Sequence, residues 1–519
     1  MNNNDPLIAP PRWGIRFARP NTAGDGLALR EAPIPDKLLV ALNQNIGFIS
    51  DPIVQPGERV RTGQPIAQAS AAGPGAQVHA PSSGEVVSIA AHPVPGRGIA
   101  ECITIRTDGK DERWTGYNAY PNPLSLPAAS LRAAIADAGI VGLGGAMFPA
   151  NIKLNPGLGV DTLILNGAEC EPCINCDDAL IRHSAATVLR GAQIMLRILE
   201  TDKCLIALKQ NALHARQAMQ QAIDTLGDDR ITIATVPSVY PAGGELQLIQ
   251  LLTGREVPSD GLPWDTGAVC QNVATAEAVE RFLRTGEPLI SRIVTLTGDG
   301  LHAPVNLRAR IGTPIAKLIE AAGGYTGKTH RLIMGGPMMG VALSGDELAV
   351  TKACNCIYAA AMEQLQIETP ELPCIRCGEC ATVCPANLMP QLLLQAQRTK
   401  DFDRLTELGL PDCIECGCCD YICPSHIPLT NGFRASKKEA WDQAIERRRG
   451  QHAETRFAAR QERVSKQTEQ TEQQLHEFTP APDNADESVA EHAKENAADA
   501  LTALKARLAR KQPGNDDEN

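Results

Sequence analysis

Aromatic side chains are scarce in this sequence: Phe, Tyr and Trp together make up 3% of 519 residues. Readers of single-stranded nucleic acid stack bases on such rings, so the scarcity argues against that class. Basic charge is lacking as well. The net charge is -11 at pH 7, which opposes binding to a phosphate backbone as the main activity, and no nucleic-acid partner is expected. No apolar run reaches the roughly 18 to 20 residues that a membrane-crossing helix needs. The opening stretch, "MNNNDPLIAPPRWGIRF", has no charged start and no apolar core, so no signal peptide is expected. The seventeen cysteines are not scattered as a disulfide framework would scatter them. Nine fall between Cys374 and Cys423, which points to metal ligation in a reducing compartment. At 43% hydrophobic and 21% charged, the composition is that of a soluble globular protein. The length exceeds what one core supports, so several domains are expected.

Those nine cysteines carry the strongest motif. "CIRCGECATVCP" begins at Cys374 and "CIECGCCDYICP" at Cys413, both with the spacing C-x2-C-x2-C-x3-C-P. A [4Fe-4S] cluster needs four thiolates at the corners of a tetrahedron. The short spacings let one loop supply three of them. In two-cluster ferredoxins the fourth cysteine, just before the proline, ligates the other cluster. Carried over, the first cluster takes Cys374, Cys377, Cys380 and Cys423, and the second takes Cys413, Cys416, Cys419 and Cys384. Zinc also takes paired C-x2-C sites, but two complete copies with the trailing proline fit iron–sulfur ligation. Cys418 is extra and is read as a non-ligand. Two such clusters pass one electron each, so the rest of the chain is expected to hold whatever exchanges electrons with them.

The remaining sequence falls into distinct rhythms. From about residue 30 to 106 it reads as short strands with turn glycines at Gly57 and Gly63. This stretch resembles the barrel-sandwich domains that carry lipoate or biotin on a lysine at a hairpin tip. Here the tip reads "ASAAGPGAQ" with no lysine, so a structural module is expected and not a swinging arm. From about Leu131, helical and strand patterns alternate: "LRAAIADAG", "DTLILNG", "DALIRHSAATVLRGAQIMLRIL", "KCLIALK", "ALHARQAMQQAIDTL", "RITIATV" and "ELQLIQLLTG". Such alternation implies a parallel α/β sheet, whose ligands bind beyond the carboxyl ends of the strands. Those ends read "NGAECEPCINCDD" and "PSVYPAGGE". From about 291 to 360 short strands return around one helix, resembling the β-grasp module found beside flavin domains. Beyond Asn431 the chain is charged and helical in pattern, with Leu501, Leu504 and Leu508 forming one weak apolar stripe. Such a tail reads as a solvated helical face or as a docking element for a membrane partner or anionic headgroups.

A Gly-rich loop, "VGLGGAMFPANIKL" (Val141 to Leu154), opens the α/β region. Taken with "NGAECEP" at Asn166 and "YPAGGE" at Tyr240, it resembles the NADH- and FMN-binding subunit of respiratory complex I. The closer resemblance is to the RnfC subunit family of the Rnf complex. That family joins a barrel-sandwich domain, this flavin domain, the β-grasp module, two ferredoxin-type clusters and a charged helical tail. The likeness covers about residues 10 to 465. It implies that Gly142, Gly144, Gly145 and Ala146 line the FMN phosphate and ring, that Phe148 stacks on a ring, and that Lys153 and Asn166 hold the flavin. It implies that Glu169 and Glu171 face the nucleotide and that Glu245 lies near the nicotinamide. Leu143, Ala168 and Gly244 depart from the complex I pattern, standing where an arginine, an aspartate and a glutamate are expected. For Glu169 and Glu171 a solvated acidic loop is the competing reading. Cys170, Cys173 and Cys176 share cluster-like spacing but lack the C-P. They are read as small buried hydrophobes, with a third cluster as the alternative.

The resemblance implies a multidomain α/β and α+β protein. Its expected segments are a 1–29 extension, a 30–110 barrel-sandwich domain, a 111–290 NADH/FMN-binding domain, a 291–360 β-grasp module, a 361–430 two-cluster domain and a 431–519 charged helical tail, partly disordered. It implies FMN, NAD(H) and two [4Fe-4S] clusters as cofactors. It also implies a peripheral place on the cytoplasmic face of the inner cell membrane, with integral-membrane and membrane-anchored subunits of an ion-translocating complex as partners. With no span of its own, the chain is not expected to move ions itself. A diaphorase subunit of a soluble hydrogenase or dehydrogenase, a cluster-bearing adapter without nucleotide chemistry, and a docking subunit with vestigial chemistry are the alternatives.

Overall fold

The computed structural model describes residues 8–17, 27–155, 157, 159–365, 370–477, 491–492, 495–496, 498–499 and 502–503. The chain divides into two compact units, Met1–Lys437 and Lys438–Asn519. Among the described residues no helix is long and apolar enough to cross a membrane. The helix Leu429–Glu477 begins in the first unit. Its continuation in the second unit is exposed and charged, with Arg448 over the Trp441 ring at 6.0 Å. The expected stripe of Leu501, Leu504 and Leu508 lies outside the described residues.

The first unit is built from four modules. Residues 37 to 107 form a four-stranded antiparallel sheet and a three-stranded sheet around Leu38, Val40, Ile66, Val86, Ile103 and Ile105, all fully buried. The next module carries four parallel strands. Their spatial order is Ile231–Val236, Cys204–Lys209, Thr162–Gly167 and Ala268–Asn272. Each is short and mostly buried, as parallel strands covered on both faces are. The helix Cys176–Leu199 buries thirteen of its residues and crosses the helix Val273–Thr285 at Gly191. A Cβ on Gly191 would meet the Ala276 carbonyl oxygen at 2.0 Å, so only glycine permits that approach.

The β-grasp module is a six-stranded sheet around Val294, Leu296, Ile315, Leu318 and Ile357. Its edge strand is Leu29–Glu31, which pairs in parallel with Val305–Arg310. The expected barrel-sandwich boundary at residue 30 therefore cuts through a strand of a different module. Lys352 ties three modules together. It is 1% exposed, and its Nζ donates to the carbonyls of Gln77 at 2.9 Å and Gly139 at 2.8 Å. Its backbone N–H donates to Gln44 Oε1 at 2.9 Å. Burial pulls its amine down to a pKa of about 7.

Candidate functional site

The parallel sheet reverses its strand order between Thr162–Gly167 and Ala268–Asn272, which are neighbours in space. Open α/β sheets bind ligands at such a switch point, outside the carboxyl ends. Two asparagines stand there side by side, since Asn166 is the register partner of Asn272. Asn166 donates from Nδ2 to the Gly243 carbonyl at 2.8 Å and accepts at Oδ1 from the Ala168 N–H at 3.0 Å. It thereby fastens the two acidic loops to each other. Asn272 caps the helix Val273–Thr285, accepting from the Ala274 N–H at 2.8 Å. Its Nδ2 donates to Asp177 Oδ2 at 2.6 Å. The helix end offers unpaired N–H groups and the positive end of the helix dipole.

The Gly-rich loop lies over that helix end. The Leu143 N–H donates to Thr275 Oγ1 at 3.0 Å, and the Gly142 N–H to the Phe148 carbonyl at 2.8 Å. A Cβ on Gly144 would lie 3.4 Å from Asn272 Cβ. Gly144, Gly145 and Ala146 are exposed, and Phe148 is half-buried. Gly145 has φ +114°, and a Cβ there would project into open space. A loop and a helix end thus face one gap, an arrangement suited to a phosphate. Asn272 was not among the residues singled out from the sequence. Its only signal is an Asn directly after an apolar strand and before a helical pattern.

Behind the gap sits a half-buried acidic pair. Glu169 Oε1 accepts from Cys176 Sγ at 3.1 Å and from the Asp177 N–H at 3.3 Å, while Oε2 is enclosed with no hydrogen-bond partner. Burial, with Asp177 close by, pushes the Glu169 carboxyl up to about 8. Burial also raises Asp177, to about 6, against the hydrogen bond from Asn272 and the nearby Arg292. Arg292 is 4% exposed and donates from Nη2 to the Leu143 carbonyl at 3.3 Å and from Nη1 to the Lys352 carbonyl. A buried guanidinium therefore stands behind position 143, where a leucine replaces the arginine of the complex I pattern.

The other expected site residues divide. Lys153 Nζ and Glu245 Oε1 form an ion pair at 2.7 Å, with Glu245 as the first residue of the helix Glu245–Thr253. Glu171 turns away from the gap. Its Oε1 accepts from the N–H groups of Met338 at 2.7 Å and Met339 at 3.2 Å in the β-grasp module. The three loop cysteines part company: Cys173 and Cys176 pack in the main core, and Cys170 packs beside Tyr240 and Cys416. Among the described residues, the one set of potential ligand atoms gathered within 4.8 Å is Glu169, Cys176 and Asp177.

Two further cavities lie in the cysteine region. Cys374, Cys377, Cys380 and Cys423 line one. Cys384, Cys413, Cys416 and Cys419 line the other, together with the fully buried Cys418. Each cavity draws its fourth cysteine from the opposite repeat. The two loops share one backbone course. Arg376 and Glu415 both have φ 57°, and Asn387 and His426 have φ 52° and 51°. Cys374 and Cys377 are exposed, whereas Cys416 is 7% exposed.

These residues fit the implied groups. Four cysteines line each cavity, the number of thiolates that a cubane cluster takes. The open space at Gly145 and the unpartnered Glu169 Oε2 fit a flavin phosphate and a polar ring edge. Comparisons with known proteins agree with this layout. Residues 12–110 match the RnfC barrel sandwich hybrid domain, 135–281 the Nuo51 FMN-binding domain, 293–342 the SLBB domain, and 367–424 a 4Fe-4S dicluster domain. The chain is 44% identical over 447 residues to the C subunit of the ion-translocating oxidoreductase complex of Pseudomonas aeruginosa, with 85% of this chain and 57% of that one covered. It is 42% identical to the same subunit of Erwinia tasmaniensis, covering 88% and 56%. It is also 42% identical to that of Yersinia pestis bv. Antiqua, covering 85% and 70%. The chain thus spans little more than half the length of the first two relatives. A solved NAD+-reducing [NiFe]-hydrogenase is similar with a TM-score of 0.42 and 19% identity, covering 61% of this chain and 62% of that one.

Proposed function

The chain belongs to the family of C subunits of the ion-translocating oxidoreductase complex, and from that membership we propose that it is the peripheral NAD(H)-oxidoreducing member of a membrane-bound, ion-translocating electron-transport complex. It would work on the cytoplasmic face of the membrane, beside integral-membrane and membrane-anchored subunits. The observation that carries this reading is the presence, in one compact unit, of a flavin-type crevice and two four-cysteine cavities. FMN, when bound, supplies the exchange between a two-electron hydride carrier and one-electron clusters.

The chain's own residues supply the rest. The backbone of Gly142 to Ala146 and the first turn of Val273–Thr285 hold the phosphate. Asn166 and Asn272 set the spacing of the loops around it. Glu169, protonated at neutral pH, holds a proton at the back of the crevice and keeps a second negative charge away from Asp177. Lys153 reaches toward the flavin, and its ion-pair partner Glu245 stands on the nucleotide side and orients the dinucleotide. Cys374, Cys377, Cys380 and Cys423 hold one cluster, and Cys413, Cys416, Cys419 and Cys384 the other.

Anaerobic purification followed by an absorbance spectrum, iron and flavin quantitation, and NADH-dependent ferricyanide reduction tests the proposal. About eight irons and one flavin per chain are expected. About two zincs and no flavin would end it.

A further inference from the structure

We propose that the Tyr240 hydroxyl bridges the flavin crevice to the cavity of Cys384, Cys413, Cys416 and Cys419, which makes that cavity the first one-electron station. The inference rests on the flavin-to-cluster reading above and names the joint through which it operates.

Tyr240 opens the third acidic loop and is 2% exposed. Its hydroxyl donates to the backbone carbonyl of Cys416 at 2.6 Å, a contact between residues 176 apart in sequence. Two more hydrogen bonds meet the cysteine module nearby. The Gly14 N–H donates to the Val383 carbonyl at 3.0 Å, next to Cys384. Ser259 Oγ donates to Asp412 Oδ2 at 2.7 Å, next to Cys413. All three therefore land on, or one residue from, a cysteine of the same cavity.

The seam around Tyr240 is sealed. Ile15 and Tyr240 exchange backbone hydrogen bonds at 2.8 and 3.0 Å. At Gly14 a Cβ would strike the Tyr240 carbonyl oxygen at 2.4 Å, so the N-terminal segment can lie this close only with glycine there. Ile15, Tyr240, Val383, Cys416 and Cys418 form one buried cluster, with Cys170 of the second acidic loop against it. Glu171 supplies the brace, because the Met338 that it holds lies against Gly417. The acid expected to face the nucleotide instead stiffens the cluster side of the joint. By contrast, Cys374 and Cys377 of the other cavity are exposed, as suits a station that hands electrons outward.

The electron count balances through this joint. NADH gives up two electrons and one proton on becoming NAD+; the clusters, when bound, would accept the electrons one at a time, and the proton would pass to solvent. Tyr240 takes no electron. It is a positioning residue that holds the Cys416 loop against the crevice and draws density from the Cys416 carbonyl. That withdrawal favours the more negative, reduced cluster.

The test uses the full chain with flavin and both clusters loaded. Stopped-flow absorbance follows flavin reduction by NADH and then cluster reduction. Redox titration monitored by electron paramagnetic resonance gives each cluster's potential. In Tyr240→Phe, cluster reduction should slow by roughly fivefold, the factor one neutral hydrogen bond of about 1 kcal/mol is worth. The potential of the Cys416 cluster should fall and that of the Cys374 cluster should not. Ser259→Ala, which loses an exposed contact of the same interface, should move neither, and this separates the bridge from mere docking. Wild-type-like cluster reduction and potential in Tyr240→Phe would overturn the bridge. So would slowing confined to the NADH step. If wild-type protein bleaches its flavin with NADH and reduces neither cluster, the flavin-to-cluster reading itself fails.

Discussion

Lys153 and Glu245 face each other across the crevice with Nζ and Oε1 2.7 Å apart, on side chains 15% and 32% exposed. The lysine follows the Gly-rich loop and the glutamate opens the helix after the third loop, so the pair joins the two walls. Glu245→Gln should retain flavin and both clusters and weaken NADH binding. A hydrogen bond to a charged group contributes about 1.5 to 3 kcal/mol, or roughly 10- to 150-fold in affinity. Lys153→Met should instead lower flavin occupancy. Because both side chains are partly screened, a double-mutant cycle on stability should give a coupling of no more than about 1 kcal/mol. Flavin content and NADH titration of the three variants check this. Equal NADH affinity in Glu245→Gln and wild type would remove Glu245 from the nucleotide side.

At Gly145 the backbone has φ +114° and the missing side chain would point into open space. Any clash there would be with a ligand and not with the protein. Gly145→Val adds a β-branched side chain at a φ that such residues avoid, at about 1 to 3 kcal/mol of strain. The variant should purify with both clusters and without flavin, and should not oxidise NADH. Full flavin content with normal turnover would mean that the crevice lies elsewhere.

The order of modules is legible in the sequence because period carries it. Aliphatic runs alternate with 3.6-residue patterns through the parallel sheet, and cysteine spacing marks the two cavities before any fold is known. What escapes is pairing at long range. Leu29–Glu31 joins a sheet whose other strands begin at Ser291, and no local pattern announces that. Glu171 finds its backbone partner 167 residues away, so its acidic loop reads as a nucleotide contact although the side chain braces the β-grasp module. Asn272 escapes for a different reason. A single capping residue after a strand looks like any turn, and only its register with Asn166 gives it meaning.

Exchange of the fourth cysteine between repeats is open to a direct test. Cys384 lies in the first repeat yet lines the cavity of Cys413, Cys416 and Cys419. Cys384→Ala should lower the iron content by up to about four atoms and abolish one paramagnetic signal, while the signal of the Cys374 cluster survives. Cys418 lines the same cavity but is fully buried beside Cys416. Cys418→Ala should keep all the iron. Loss of a cluster in Cys418→Ala with none in Cys384→Ala would exchange their roles.

The Glu169–Asp177 pair makes stability depend on pH with a definite sign. In the folded chain Glu169 titrates near 8 because it is buried beside Asp177, against an ordinary value of about 4.3 in an unfolded chain. Between those values the folded state holds a proton that the unfolded state has released. Stability therefore falls as pH rises through that window, and the loss levels off above about pH 8. Asp177, raised to about 6, adds a second loss in the lower part of the window. Glu169→Gln removes the ionisable group while keeping the shape and an acceptor for the Asp177 N–H. The variant should match or exceed wild type in thermal stability at pH 8, by an amount of order 1 kcal/mol or more, and its advantage should shrink toward pH 6, where Glu169 is already neutral. Iron–sulfur clusters limit how acidic the measurement can be, so denaturation between pH 6 and 9 is the practical range. A Glu169→Gln difference that stays flat from pH 6 to 9 would show that Glu169 is ionised in the folded protein throughout that range, and the proton held behind the crevice would have to be placed on Asp177 instead.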